Sequence, residues 1–124
     1  MIIAIDFDGT IVQDAYPAIG EIMPGAREAI NQLKADGHYI IIWTCRTGHY
    51  AHQVFDWLYE NDIMFDRINE SCPQNLADHN GIDTRKVFAH VYIDDRALLT
   101  LPPWPEIYKI ITQKATHEIM KKYA

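Results

Sequence analysis

Apolar residues follow two rhythms along this chain. Short unbroken runs at Met1–Ile5, Tyr39–Trp43 and Val91–Ile93 have the length and isoleucine content of buried strands. Longer stretches carry apolar residues three and four positions apart, the spacing of one helix face. The chain therefore reads as strand at residues 2–7, then turns with a small hairpin around Ile11-Val12 and Ile19–Ile22. A helix follows, opened by Pro24 and closed by Gly37, with Ala26, Ala29, Ile30 and Leu33 as its buried face. Residues 39–44 form the next strand. Residues 50–59 form a helix with Ala51, Val54, Phe55 and Leu58 as its stripe. A strand lies within 63–68, and another spans 87–94. Residues 69–85 are polar and long for a loop. After Pro102, Pro103 and Pro105, the tail from Glu106 to Tyr123 sets Ile107, Ile110, Ile111, Ala115, Ile119 and Met120 against several lysines, which predicts a packed terminal helix. Strands alternating with helices predict one α/β domain over residues 1–124, a mostly parallel Rossmann-like sheet with helices on both faces.

The polar residues that end the strands change the picture. The first strand runs into Asp6 and Asp8, which share one face of an extended chain unless it bends between them. Crowded carboxylates repel and resist desolvation unless a cation or protons relieve them, a first pointer to a divalent metal. The last strand runs into Asp94 and Asp95, and residues 39–44 end at Thr44-Cys45-Arg46. Ligands of open α/β sheets bind beyond the carboxyl ends of the strands. If these strands are parallel neighbours, four carboxylates, a hydroxyl and a guanidinium converge there. Carboxylates suit a hard cation, and a hydroxyl with a guanidinium suits an oxyanion, so phosphoryl chemistry is expected.

Asp6-Phe7-Asp8-Gly9-Thr10, then Thr44, then Asp94-Asp95, in this order and at strand ends, resemble the motifs of the haloacid dehalogenase-like (HAD-like) superfamily. The Ile93–Arg96 run and the short chain are similar to the phosphatase portion of phage-type polynucleotide kinase-phosphatases and to small capless HAD-like hydrolases. The resemblance implies a Mg²⁺-dependent phosphatase. Asp6 would be the nucleophile that forms an aspartyl-phosphate, and Asp8 the general acid and then the base. Mg²⁺ would be held by Asp6, the backbone carbonyl of Asp8, and Asp94 or Asp95, with Asp95 favoured as the direct ligand. Thr44 would bind a phosphate oxygen. The family's steadying lysine has one candidate, Lys86, eight residues before Asp94. Fully extended, that stretch spans roughly 26 Å at about 3.3 Å per residue, so Lys86 reaches the site only if the chain coils back. Otherwise Arg46 supplies the charge. Family cap domains are inserted after the first motif or between the second and third. The dozen or so residues after Thr10 and the polar residues 69–85 are too few to build one, so the site is expected to be capless.

Composition narrows the partners. At 124 residues, 48% hydrophobic and 23% charged, the chain has enough apolar residues for a core. A net charge of −6 argues against broad nucleic-acid binding, which needs excess Lys and Arg, though not against a nucleotide or a nucleic-acid end. Cys45 and Cys72 lack a Cys-x-x-Cys pattern and read as free thiols of a reducing, cytoplasmic compartment. No apolar run has the length of a membrane span, and the first run lacks the basic flank of a signal peptide. His49 and His52 lie three apart but, Asp56 aside, lack further ligands at metal spacing. The expected partner is a phosphorylated substrate. A capless site admits a large one, or a second copy of the chain closes the site over a small one. Two alternatives remain open: a phospho-accepting receiver-like domain, and a HAD-like binding protein with weak turnover.

Overall fold

The computed structural model describes residues 1–123, with side chains to Lys122. Its centre is β1 (Ile2–Ile5). This strand lies between β4 (Tyr39–Ile42) and β6 (Val91–Ile93), and β5 (Arg67–Ile68) follows β4 at the edge. All three pairings are parallel. The register sets Ile3 and Ile5 beside Ile40 and Ile42, and Ile5 beside Ile93. Side chains alternate across a strand. These isoleucines therefore face one side, where α1 (Ala26–Ala35), α2 (Gly48–Glu60) and α4 (Trp104–Tyr123) cover them. Ala4 and Ile41 face the other side and meet Val87 and Ala89. Burial on both sides explains the unbroken apolar runs.

The three layers are uneven. The long helices occupy one face. The second is covered by an irregular segment that includes the six-residue α3 (Pro73–Asp78). No cap is present among the described residues. β2 (Val12–Ala15) and β3 (Ala18–Ile22) form the hairpin predicted between the first strand and the first helix, with a cis Tyr16–Pro17 bond in its turn. Among the described residues, no helix is long and apolar enough to cross a membrane.

Several elements differ from expectation for local reasons. The strand expected within 63–68 shrinks to Arg67–Ile68. Asp66 uses its carboxylate, not a strand carbonyl, to accept the Ile40 amide at 2.7 Å, and it takes Lys34 Nζ as well. Residues 87–90 are not strand but cross the sheet's second face, wrapped around Tyr92. The Tyr92 hydroxyl donates to Val87 O at 2.7 Å and accepts the Ala89 amide at 3.1 Å. On α2, Phe55 turns outward to meet the Phe65 ring, while Trp57 packs edge-on against Phe7 in the core. On α4, Ile107 and Ile111 are buried, but Ile119 and Met120 are 60% and 67% exposed. A 20-residue helix outruns the 10-residue α1 that it packs against, which leaves these distal residues exposed.

Candidate functional site

The chain leaves β1 and pairs to β4 on one side, then crosses to β6 on the other. The sheet order reverses at β1, which makes its carboxyl end a switch point where ligands collect. A cavity of about 490 Å³ opens there, lined by Asp6, Asp8, Asp14, Tyr16, Thr44, Cys45, Arg46, Asp94 and Arg96.

The backbone after β1 bends sharply. Asp6 N–H still donates to Ile93 O at 2.9 Å, so the first carboxylate belongs to the sheet edge. Phe7 O then accepts from the amides of Thr10, Ile11 and Val12, which closes a tight turn. Gly9 sits in it at φ +84°, a left-handed conformation that favours glycine. A side chain here would also run into the Asp95 carboxylate. The bend separates the two motif carboxylates, and Asp6 and Asp8 do not act as one face.

Asp6 joins the second acidic pair. Asp6, Asp94 and Asp95 each bring an oxygen within 4.8 Å of the others. Thr10 bridges them: its hydroxyl lies 3.3 Å from Asp6 Oδ2 and 3.2 Å from Asp95 Oδ1, and it accepts the Asp95 amide at 3.1 Å. Asp94 accepts the Arg96 amide at 2.8 Å. Burial pushes the Asp6 carboxyl up to about 7, helped by its hydrogen bond to Asp95 and by the Asp94 charge. The cluster thus carries crowded, partly desolvated carboxylates and only oxygen donors. A hard divalent cation fits that donor set and would relieve the repulsion.

Asp8 goes elsewhere. Arg46 grips it with two hydrogen bonds, Nε to Oδ2 and Nη2 to Oδ1, both 2.7 Å. The Asp8 side chain therefore stands apart from the acidic trio, and its backbone carbonyl remains as the donor that the resemblance implies. Arg46 also donates to the carbonyls of Pro17 at 3.0 Å and Ala18 at 2.9 Å, in the hairpin turn. The bond to Asp8 raises its already high pKa. Arg46 was expected to offer its charge to a phosphate. It lines the cavity, but four of its five guanidinium N–H groups are committed within the protein.

Thr44 reaches the cavity. Its backbone is clamped by Asn69, which accepts the Thr44 amide and donates to the Thr44 carbonyl, both at 2.8 Å. Its hydroxyl oxygen accepts the Arg46 amide at 3.1 Å, so its own proton can be donated to a phosphate oxygen. Lys86 does not join the site. Its ammonium lies 5.1 Å from the centre of the Tyr92 ring, in a separate cavity with Asp78, His79 and Thr84. The chain before β6 does coil, but it does so onto the sheet's second face.

Sequence reasoning missed Asn69, Asp14, Tyr16, Arg96 and Trp104. Asn69 carried a local signal: asparagine tolerates its φ of +56° after the short β5. Trp104 carried none. Its indole N–H donates to Thr10 O at 3.0 Å and anchors the motif turn from the far end of the chain.

A family model described as haloacid dehalogenase-like hydrolase matches residues 3–93. The solved structure of a conserved protein from Bacteroides thetaiotaomicron is 38% identical and superposes with a TM-score of 0.83, over 92% of this chain and 91% of that one. A comparison with curated proteins gives no match. With a family match over most of its length and a neighbour of the same fold, the chain belongs to the haloacid dehalogenase-like hydrolases.

Proposed function

We propose that the protein is a metal-dependent phosphomonoester phosphatase working through an aspartyl-phosphate. The observation that carries this reading is the meeting of Asp6, Asp94 and Asp95 at the switch point, with Asp8 and Thr44 on the same cavity wall. A divalent ion, Mg²⁺ by the family's habit, fits Asp6, the Asp8 carbonyl and Asp94 or Asp95, and would supply positive charge against the phosphate and the nucleophile.

The residues then divide the work. An Asp6 carboxylate oxygen bonds to phosphorus while the ester P–O bond breaks, and Asp8 passes its proton to the leaving oxygen. In the second half, a water gives a proton to Asp8 as its oxygen bonds to phosphorus, and the Asp6–phosphate bond breaks. Ester and water become alcohol and inorganic phosphate. Thr44 holds a phosphate oxygen through its hydroxyl. The cavity has no cap above it among the described residues, which favours a bulky phosphoester such as a nucleotide or a nucleic-acid end.

The test is hydrolysis of an aryl phosphate with and without Mg²⁺, by wild type, Asp6→Asn and Asp8→Asn. The expected result is Mg²⁺-dependent turnover that Asp6→Asn abolishes and Asp8→Asn reduces. Turnover unaffected by Asp6→Asn would sink the nucleophile. A stable phospho-adduct without turnover would point to a receiver-like phospho-acceptor.

A further inference from the structure

We infer that Arg46 is the positioning residue of the acid–base step: it sets the Asp8 carboxyl through a guanidinium that also pins the β2–β3 hairpin turn, and it does not bind the substrate phosphate. The inference rests on the phosphatase reading and adds to it the origin of Asp8's orientation.

Arg46 is 3% exposed. Nε and Nη2 hold the two Asp8 oxygens, Nη2 also reaches Ala18 O, and Nη1 reaches Pro17 O. Four of the five guanidinium N–H groups are therefore in use. The Tyr16 ring lies 5.0 Å from the guanidinium carbon and the Phe7 ring 5.9 Å, which shields the group from water. One Nη1 N–H is left over, so to grip a phosphate with two bonds this guanidinium would have to give up bonds already made. Its backbone is fixed as well, since its amide donates to the Thr44 hydroxyl. Two parallel bonds from a rigid planar fork fix both the position and the plane of a carboxyl, which a lysine cannot do. Each Asp8 oxygen keeps a further lone pair for substrate or proton. A general acid must lie within hydrogen-bond reach of the leaving oxygen, so an Asp8 free to rotate loses much of its effect.

The consequence is specific to the leaving group. An alkoxide leaves poorly without a proton, whereas an activated aryl oxide leaves well without one. In the half-reaction that expels the alcohol, damage to Asp8 positioning therefore falls on alkyl phosphates. Loss of a phosphate contact falls on both classes alike.

The experiment compares kcat/KM, which covers only the steps through departure of the alcohol, on an alkyl phosphate and on p-nitrophenyl phosphate, with Mg²⁺, for wild type, Arg46→Lys, Asp8→Asn and the double variant Asp8→Asn/Arg46→Gln. Thermal melts verify folding. Arg46→Lys and Asp8→Asn should each lose on the order of 10²-fold or more in kcat/KM on the alkyl ester and less than about 10-fold on the aryl ester. The double variant should be no worse than Asp8→Asn on either ester. Equal losses in kcat/KM on both esters, or a double variant well below Asp8→Asn in kcat/KM on both, would overturn the inference in favour of a phosphate contact. If Arg46→Lys fails to fold, the double variant decides, because removing both partners leaves no lone buried charge. An Asp8→Asn enzyme with no leaving-group dependence would overturn the acid–base reading itself, and the Arg46 role with it. Normal leaving-group dependence at Asp8 with none at Arg46 would overturn the Arg46 role alone.

Discussion

Asp6 carries a conflict between folding and chemistry. Its carboxyl is raised to about 7, first by burial and then by Asp95 and Asp94. An unfolded aspartate titrates near 3.9, so from about pH 4 to about pH 7 the folded state holds a proton that the unfolded state has lost. Stability therefore falls as pH rises through that window. Asp6→Asn removes the charge and should raise the thermal midpoint of the metal-free protein at pH 8, by on the order of 1 kcal/mol or about 4 °C. The gain should vanish near pH 4.5. A melt series over pH checks this, and an Asp6→Asn variant less stable than wild type at pH 8 would contradict it. Gly9 gives a second residue-scale prediction. Gly9→Ala adds a Cβ at positive φ against the Asp95 carboxylate. It should cost about 1–3 kcal/mol and weaken metal binding along with turnover, measured by denaturant titration and Mg²⁺-dependent assays.

At the scale of elements, α4 divides into two halves. Ile111 is buried in the main core, whereas Ile119 is 60% exposed. Ile111→Ala should cost about 2–5 kcal/mol, and Ile119→Ala should stay within about 0.5 kcal/mol. Urea titrations of the two variants separate them. The apolar stripe of α4 was legible in the sequence, but its burial was not. Periodicity says which residues share a face and is silent on how far the neighbouring helix extends. The β5 segment shows a similar limit. Ile63, Phe65 and Ile68 carry a strand's composition, yet Asp66 replaces a ladder carbonyl with its own side chain. Asp66→Ala would leave the Ile40 amide unpaired and should cost about 1–3 kcal/mol. Both acidic strand ends, by contrast, were legible, because Asp6, Asp94 and Asp95 follow directly on the strands that carry them.

For the molecule as a whole, the metal binding proposed above would link the site to overall stability. A cation held only by the folded state stabilises it by mass action. It would also have to displace the Asp6 proton, so its affinity should fall as pH drops below about 7. Added Mg²⁺ should raise the melting temperature clearly at pH 8, much less at pH 5.5, and hardly at all in Asp95→Asn. A Mg²⁺ effect equal at both pH values would remove Asp6 from the ligand set.

The sequence by itself determined the parallel sheet, the hairpin, the main helices and the acidic strand ends. Those features follow from nearest neighbours: apolar runs, helical spacing, and polar residues that stop a strand. Only the tertiary structure decided the partners of the cations. Arg46 lies two residues from Thr44, which suggested a shared phosphate, yet Asp8 and the Pro17 and Ala18 carbonyls surround it. Lys86 is drawn onto the Tyr92 ring because residues 87–90 cross the second face of the sheet. A guanidinium or ammonium on a long flexible stem can reach many places. Which one it takes depends on segments far apart in the chain, and the fold alone brings those together.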